Sequence, residues 1–398
     1  MNSPLEHEDL NPQEFRETPV LKSKPLSAWI SLTGRCNLNC LHCPKRSVAF
    51  APRNLTDLPL QVFRKLEEEI FPFLKRCKVG GNNLGEQLLA KEWDYFVDRI
   101  GRYSFERTLV TNGLLLTKER IKKLLEGGWS IDLSVEGSTQ STYQNIRGGN
   151  FEKFLSVVRE CCQQKRSFQE TKAKIRLCFT TFYDNIRELI PLIEIGARLG
   201  VDEVLVAHLI PMIESQRAQS LVYHKGLANA IFEEGRRRAK ELGISIQLPP
   251  PFPVKRMGEE DATEGTSTQW DRKGCYHPWT SVSINEKGDV MPCCISDEKM
   301  GNLMETSFEK IWNGKKYQKL RKTVNSPNPI SFCRHCVLRG KDFTHFHCND
   351  DRALLNFIGP TDQVDARFLM KLFVKRKIGK YRWGKKLIQE MKAFYKKF

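Results

Sequence analysis

The segment LSAWISLTGRCNLNCLHCPKR (26–46) joins a short apolar run to three closely spaced cysteines. The run 26–33 contains aromatic and β-branched residues and stops at a glycine, which predicts a strand. Cys36, Cys40 and Cys43 follow directly, with three and then two residues between them. Three potential thiolate ligands on one loop indicate a metal or cluster site at the end of the first strand.

The composition is that of a folded protein with reduced cysteines. Of 398 residues, 40% are hydrophobic and 10% aromatic, which is enough for one large domain and a smaller one. We find no apolar run of about 18 residues that would span a membrane, and the polar first residues do not resemble a signal peptide. We therefore expect a cytoplasmic protein, where clustered cysteines bind metal or catalyse more often than they form disulfides.

The positive charge is concentrated at the end of the chain. The formal net charge is +17, and residues 371–398 contain 11 Lys or Arg and a single acid. Apolar residues recur there at 388, 391, 394, 395 and 398, which predicts a short basic amphipathic helix. Such a helix suits contact with a membrane surface or an acidic partner, or packing on the core. We find no recognised nucleic-acid module.

Beyond the cysteine loop, strand and helix patterns alternate six times. The predicted strands cover 26–33, 76–81, 105–113, 129–137, 172–182 and 201–209. The predicted helices cover 58–75, 88–102, 117–128, 150–164, 185–200 and about 221–242. Alternation of this kind predicts an α/β fold with a parallel sheet and outer helices. Six units are fewer than a closed barrel needs, so we expect a partial (β/α)6 TIM-like barrel with its active site at the carboxyl ends of the strands.

The three cysteines leave two kinds of site open. A structural zinc site has four ligands and would borrow a distant one. A [4Fe–4S] cluster has four irons, normally held by cysteines, so three cysteines leave one iron open. A strand followed by Cys-x3-Cys-x2-Cys resembles the radical S-adenosylmethionine (radical SAM) family. The resemblance implies that Cys36, Cys40 and Cys43 hold a [4Fe–4S] cluster whose open iron binds S-adenosylmethionine (SAM), with His42 against the adenine.

Later segments are similar to further motifs of the family. NNLGEQLL (82–89) resembles its Gly-Gly-Glu segment, which implies that Gly85 and Glu86 hold the methionyl ammonium of SAM. Leu84 and Gln87 depart from that pattern, and Asn82 or Asn83 could share the role. LVTNG (109–113) resembles the third-strand motif.

The segment DLSVEGSTQSTYQNIRGGNF (132–151) resembles the family's fourth strand and the loop after it. The resemblance implies that Ser134 and Arg147 hold the ribose or the carboxylate of SAM. Arg suits a carboxylate because its planar guanidinium can donate two parallel hydrogen bonds. VLVAHL (204–209) would pass beside the adenine.

In this family an electron cleaves SAM, and the resulting 5′-deoxyadenosyl radical takes a hydrogen atom from the substrate. An electron donor such as a flavodoxin or a ferredoxin is implied. The sequence does not identify a catalytic residue, although His208, Glu214, Cys178 and Tyr276 are candidates for a base or hydrogen donor, each with a structural alternative. Four cysteines in predicted helices or strands are expected to be small buried residues: Cys77, Cys161, Cys162 and Cys178.

A second group of cysteines follows a Pro-rich and then polar linker. Cys275, Gly288 and Cys293 are spaced Cys-x12-Gly-x4-Cys around a predicted hairpin, and Cys333 and Cys336 form a Cys-x2-Cys pair. This pattern resembles the SPASM/twitch extension of radical SAM enzymes, which binds auxiliary clusters. It implies one auxiliary [4Fe–4S] cluster held by the four cysteines.

Alternatives remain for this second group. Because Cys348 is the only later cysteine, a second full ligand set is not expected, but Cys348 could add a ligand and Cys294 could replace Cys293. A zinc ribbon using His335, His345 or His347 is the other interpretation.

The expected organisation and function follow from these motifs. We expect an N-terminal extension (1–25), a radical SAM core (26–245), a linker (246–274), an auxiliary-cluster domain (275–348) and a basic helical tail (349–398). The short extension leaves little room for a leader-peptide domain, which favours oxidation or epimerisation of a small molecule such as a sugar or aminocyclitol. The alternatives are crosslinking or epimerisation of a ribosomally made peptide, and a non-enzymatic zinc-stapled binding protein.

Overall fold

The computed structural model describes residues 19–43, 55–81, 85–168, 171–209, 211, 216, 218–249, 251–252, 275–294, 296, 298–330 and 333. Several sequence-based predictions concern residues outside these ranges and have no structural counterpart below. They concern Asn82, Asn83, Glu214, Cys336, Cys348, the three histidines 335, 345 and 347, and the basic tail.

Ten strands form one mixed sheet in the order β10-β9-β8-β1-β2-β3-β4-β5-β6-β7. The strands are β1 Ser27–Ile30, β2 Arg76–Val79, β3 Glu106–Thr111, β4 Trp129–Ser134, β5 Ile175–Thr181, β6 Glu203–His208, β7 Ser245–Gln247, β8 Ser281–Ile284, β9 Asp289–Met291 and β10 Gly301–Asn302. Strands β1 to β7 are parallel, which confirms the predicted α/β partial barrel. The three-residue strand β7 was not predicted, because so short a run carries no periodic pattern.

The helices cover the outside of the parallel strands. They are α1 Leu60–Glu69, α2 Trp93–Gly101, α3 Lys118–Glu126, α4 Gln140–Arg147, α5 Phe151–Arg166, α6 Leu189–Leu199, α7 Lys225–Leu242, α8 His277–Thr280, α9 Phe308–Trp312 and α10 Lys315–Thr323. The predicted cap of α3 is present, since the Thr117 hydroxyl accepts a hydrogen bond from the Arg120 amide. Helix α4, directly after the β4 loop, was not predicted. None of the helices within the described ranges is both long and apolar enough to cross a bilayer.

The two faces of the parallel sheet differ in chemistry. On β4, Trp129, Ile131 and Leu133 are fully buried in the core under the helices. The alternating residues Asp132 and Ser134 point to the opposite, inner face, because successive strand side chains alternate. The core therefore lies between the sheet and its helices, and the inside of the partial barrel carries polar groups.

The second cysteine region extends the same sheet. Strand β8 pairs in parallel with β1, so that Ser27 faces Ser281 and Ile30 faces Ile284. Strands β8 and β9 form the predicted antiparallel hairpin, with Gly288 in the left-handed region at φ 78°. The hairpin therefore lies beside the strand from which the first cysteine loop emerges.

Candidate functional site

The loop with Cys36, Cys40 and Cys43 begins six residues after β1, at the carboxyl ends of the parallel strands. The backbone carbonyl of Arg35 accepts a hydrogen bond from the Glu86 amide at 2.7 Å. The thiol of Cys40 donates to the Arg147 carbonyl at 3.8 Å. The first cysteine loop is thus fixed on one side by the segment after β2 and on the other by the end of helix α4.

Burial raises the pKa of the Cys40 thiol to about 11, against the opposing effect of the Arg147 guanidinium. In the absence of bound iron, Cys40 is therefore a neutral thiol at neutral pH. Iron binding would release its proton, because the thiolate is the ligand.

Gly85 is required where the segment after β2 meets the cysteine loop. A Cβ at this position would lie 2.0 Å from the backbone oxygen of Thr33. Because the atom that the Cβ would meet belongs to the backbone of Thr33, a larger residue at position 85 would displace the chain that leads into the cysteine loop. The predicted role of Gly85 toward SAM stays a prediction, and its close approach to Thr33 gives a physical reason for glycine.

Glu86 is buried and its carboxylate is tied to the end of β3. Oε1 accepts a hydrogen bond from the Thr111 hydroxyl at 2.7 Å, and Oε2 accepts one from the Asn112 amide at 2.7 Å. Burial raises the pKa of Glu86 above its ordinary value, although these hydrogen bonds oppose the shift. The structure therefore shows Glu86 joining two of the predicted motifs, and its contact with SAM stays a prediction.

His42 and Arg147 meet at a residue that the sequence analysis did not single out. Glu136 forms a buried ion pair with the Arg147 Nη1, and its Oε2 lies 3.8 Å from the His42 Nε2. Burial would raise the pKa of Glu136, but Arg147 and then His42 outweigh it and hold that pKa below its ordinary value. The His42 ring also lies 6.3 Å from the Phe182 ring. The signal for Glu136 was its position in SVEG, two residues after Ser134 at a strand end.

Ser134 is half-buried at the carboxyl end of β4 and faces Cys178 of β5 across the inner face. The structure thus differs from the prediction for Cys178, which is half-buried on the inner face. Cys77, Cys161 and Cys162 are buried as predicted.

Three charged residues below Ser134 were also missed: Lys78, Asp132 and Arg176. Asp132 pairs with Lys78 at 3.0 Å and with Arg176 at 2.5 Å. The missed signal was the strict alternation of apolar and polar residues in RCKV (76–79) and WSIDLS (129–134).

His208 does not lie where a base or hydrogen donor would reach a substrate. Its ring packs on the helix side of the sheet, 5.4 Å from the Phe232 ring and 4.6 Å from the Phe252 ring. Burial lowers the pKa of His208 to about 3. The candidate role is therefore wrong for His208, and its structural alternative is correct. Tyr276 is half-buried and precedes helix α8.

Two of the predicted auxiliary cysteines, Cys275 and Cys293, flank the hairpin β8–β9 in the chain. Cys275 is half-buried before α8 and exchanges two hydrogen bonds with Asn325, of 2.8 and 3.2 Å. Cys293 is half-buried two residues after β9, whereas Cys294 and Cys333 are buried. Cys336 lies outside the described residues, so the four-cysteine set stays a prediction.

The residues present fit a [4Fe–4S] cluster with SAM. Cys36, Cys40 and Cys43 are reduced cysteines on one loop, outside any disulfide, and thiolates are the ligands that such a cluster needs. The Nε of Arg147 is buried and makes no hydrogen bond within the described part of the chain, which leaves a donor beside the loop. Within that same part of the chain, no three His, Cys, Asp or Glu side chains converge as ligands of one metal ion.

Comparison with family models identifies the class of protein. Residues 30–205 match the radical SAM superfamily, and residues 275–337 match SPASM, an iron–sulfur cluster-binding domain. The chain therefore belongs to the radical SAM superfamily and carries a C-terminal SPASM domain, as the sequence predicted. Membership implies a [4Fe–4S] cluster that binds SAM, and at least one auxiliary iron–sulfur cluster in the SPASM domain. It therefore argues against the alternative of a non-enzymatic, zinc-stapled binding protein.

Similar proteins carry several different names. An AdoMet-dependent heme synthase of Methanosarcina barkeri is 26% identical over 339 residues, covering 78% of this chain and 88% of the relative. A PqqA peptide cyclase of Gluconobacter oxydans is 23% identical over 362 residues, covering 87% and 91%. The solved structure of anSMEcpe with bound AdoMet matches with a TM-score of 0.57 at 14% identity, covering 84% and 96%. This last likeness establishes the shared fold.

Proposed function

We propose that this protein is a radical SAM oxidoreductase or epimerase, with its first [4Fe–4S] cluster held by Cys36, Cys40 and Cys43. One observation supports this most directly. The cysteine loop lies at the carboxyl ends of the parallel strands and contacts the segment that carries Arg147, through the 3.8 Å hydrogen bond from Cys40. Ligand sites of barrels of this type are formed at that end of the strands.

The chain's own residues would bind and orient SAM. Arg147, fixed by Glu136, presents a guanidinium suited to the SAM carboxylate. The backbone at Gly85, and the Glu86 carboxylate behind it, would accept hydrogen bonds from the methionyl ammonium of SAM. The hydroxyl of Ser134 would bind the ribose, and the His42 ring would lie against the adenine. When bound, the cluster and SAM supply a radical that removes a hydrogen atom from the substrate.

We favour a small molecule, such as a sugar or an aminocyclitol, as the substrate class. The name of the Methanosarcina barkeri relative, a heme synthase, supports a small-molecule product. The name of the Gluconobacter oxydans relative, a peptide cyclase, favours the second candidate, which is radical modification of a ribosomally made peptide.

The second cysteine group would hold a single auxiliary [4Fe–4S] cluster through Cys275, Cys293, Cys333 and Cys336. Strand β8 pairs directly with β1, so this cluster would lie on the same sheet as the first one. It would accept the electron released when a substrate radical is oxidised, or relay electrons to the first cluster.

Anaerobic reconstitution tests the proposal. Wild-type protein should bind about eight irons, four for each cluster, with matching sulfide. Reduction in the presence of SAM should release 5′-deoxyadenosine. Cys40→Ala should lose this release and about four irons. Cys77→Ala is the matched control, since Cys77 is buried on β2 away from the loop, and it should keep both. Wild-type protein that holds zinc without sulfide would contradict the proposal.

A further inference from the structure

The inner face of the partial barrel carries a group of charges that the SAM site does not use. Lys78 on β2, Asp132 on β4 and Arg176 on β5 form what we call the inner-face charge cluster. Asp132 Oδ2 lies 3.0 Å from the Lys78 Nζ, and its Oδ1 lies 2.5 Å from the Arg176 Nε. Arg176 Nη2 also donates to the Thr108 hydroxyl at 3.3 Å. Together with Thr108 on β3, the cluster spans four adjacent strands.

The inner-face charge cluster carries an excess positive charge. Two cations share one carboxylate, which leaves a net charge of +1. The next acidic side chain on the inner face, Glu203, lies opposite Arg176 and helps to raise the Arg176 pKa. It also pairs with Lys174 at 3.7 Å, so counting both residues leaves three cations and two carboxylates, and the net charge is still +1. Burial would raise the pKa of Asp132, but Lys78 and then Arg176 outweigh it and hold that pKa below its ordinary value. The three charges therefore coexist at neutral pH.

Lys78 is the cation that a ligand can reach. Its side chain is 29% exposed, whereas those of Arg176 and Asp132 are 4% and 1% exposed. A lysine ammonium has three hydrogen-bond donors, and the bond to Asp132 uses one of them. Asp132 and Arg176 thus fix the position of Lys78 and leave donor capacity toward the barrel interior.

The cluster lies below the place where the SAM chemistry would occur. Asp132 is two residues before Ser134, which ends β4 on the same face, and two residues of strand rise by about 7 Å. Cys178 pairs with Ser134 at this upper level. A substrate that enters at the carboxyl ends of the strands and extends inward would meet Lys78 about one such step below its reacting atom.

We propose that the inner-face charge cluster binds a carboxylate of the substrate through Lys78, and that the substrate is therefore a carboxylate-bearing small molecule. This inference rests on the proposed function, because it takes the barrel interior as the substrate site. One carboxylate neutralises the excess charge of +1, whereas a phosphate dianion would leave a negative charge inside the barrel. Lys78 is a substrate-binding residue, and Asp132 and Arg176 are positioning residues.

Thermal unfolding of the reconstituted full chain with small probes tests this inference. The probes are glutarate, the uncharged glutaramide and glycerol 3-phosphate, at constant ionic strength. Glutarate should raise the unfolding midpoint of the wild type in a saturable way. Lys78→Met should bind glutarate about tenfold more weakly or worse, because a charge-assisted hydrogen bond is lost. Lys78→Arg keeps the charge and should keep most of the response. Lys122→Met, on the exposed face of α3, is the matched control and should respond as the wild type does.

Three results would overturn the inference: no response of the wild type to glutarate, an equal response to glutaramide, or an equal glutarate affinity of Lys78→Met. A response to glycerol 3-phosphate alone would overturn the choice of a carboxylate. The unfolding midpoint without probe shows whether each variant is folded. Release of 5′-deoxyadenosine is measured on the same wild-type preparation. If release occurs and the glutarate response is absent, the inference fails while the proposed function stands.

Discussion

The two faces of the parallel sheet are built from the same strands but have opposite chemistry. On β5, Ile175, Leu177 and Phe179 face the helices and are almost completely buried. Between them, Arg176 and Cys178 face the barrel interior, where an ion pair and a half-buried thiol replace hydrocarbon. The strand alternation alone assigns each residue to a face. The comparison separates the residues that hold the fold from those available for ligands.

The inner face is not arranged for stability alone. A buried ion pair recovers its desolvation penalty only with good geometry and further hydrogen bonds, and apolar replacements are often as stable. The Asp132–Arg176 pair lies inside the barrel, and the hydrogen bond to Thr108 gives it additional support. Charged groups at such positions contrast with the hydrocarbon of the outer face.

Removal of a large side chain from the outer face should have the greatest effect on stability. Trp129 is completely buried under the helices, so Trp129→Ala should lower the free energy of unfolding by about 4 kcal/mol. Ser130→Ala on the inner face of the same strand is the control. It loses one hydrogen bond from the Lys174 amide, of 3.0 Å, and should lower the free energy by about 1 kcal/mol. Urea denaturation followed by circular dichroism measures both. Equal losses would remove the distinction between the faces.

Removal of the shared anion should be the most destabilising single change on the inner face. Asp132→Asn leaves Lys78 and Arg176 close together without their shared carboxylate, and should lower the free energy of unfolding by about 3 kcal/mol. Adding Arg176→Met to this variant removes one of the two cations that shared Asp132 and should recover part of the loss. A double variant less stable than Asp132→Asn alone, again by urea denaturation, would show that packing rather than charge governs the cluster.

His208 is a titratable group on the outer face, and it should make the outer face sensitive to acid. Its folded pKa is lowered by burial to about 3, whereas the ordinary pKa is about 6.5. The unfolded chain therefore binds the proton more readily, so stability is complete above about pH 6.5 and falls as the pH drops toward 3. At pH 5 the loss should be about 2 kcal/mol relative to pH 7.

His208→Phe keeps a ring between Phe232 and Phe252 and removes the titration. The difference in unfolding free energy between this variant and the wild type should grow by about 2 kcal/mol from pH 7 to pH 5. Urea denaturation at both pH values measures it. Parallel pH profiles of the two proteins would mean that His208 takes up its proton in the folded state.

Most of the fold was accessible from the sequence because its elements are periodic and capped. The helix at 117–128 was correctly predicted from Thr117, the apolar spacing and the glycines that follow. The hairpin around Gly288 was predicted from its turn residues. Helix α4 was not predicted, because its pattern falls inside a segment assigned to the loop after β4. The pairing of β8 with β1 is a long-range contact, which local patterns do not encode.

The candidate site was predicted in part. The spacing of Cys36, Cys40 and Cys43 is a local signal that needs no folded neighbours. The position of Glu136 at a strand end was a weak sequence signal, and its place between His42 and Arg147 depends on the fold. The wrong candidate role of His208 has the same origin, since the sequence gives its strand but the direction of its ring depends on which face the helices cover.

Two cysteines allow the smallest and most closely matched test of the two faces. Cys77 on β2 is buried on the outer face, and Cys178 on β5 is half-buried on the inner face. The same substitution to Ala removes one sulfur from each. Cys77→Ala leaves a cavity in the core and should lower the free energy of unfolding by about 1.5 kcal/mol. Cys178→Ala removes a sulfur from a residue that is only half-buried on the inner face, and should lower it by less, about 0.5 kcal/mol. Urea denaturation of both variants beside the wild type gives the difference. If Cys178→Ala is the more destabilising, the inner face belongs to the packed core and the separation of the two faces fails.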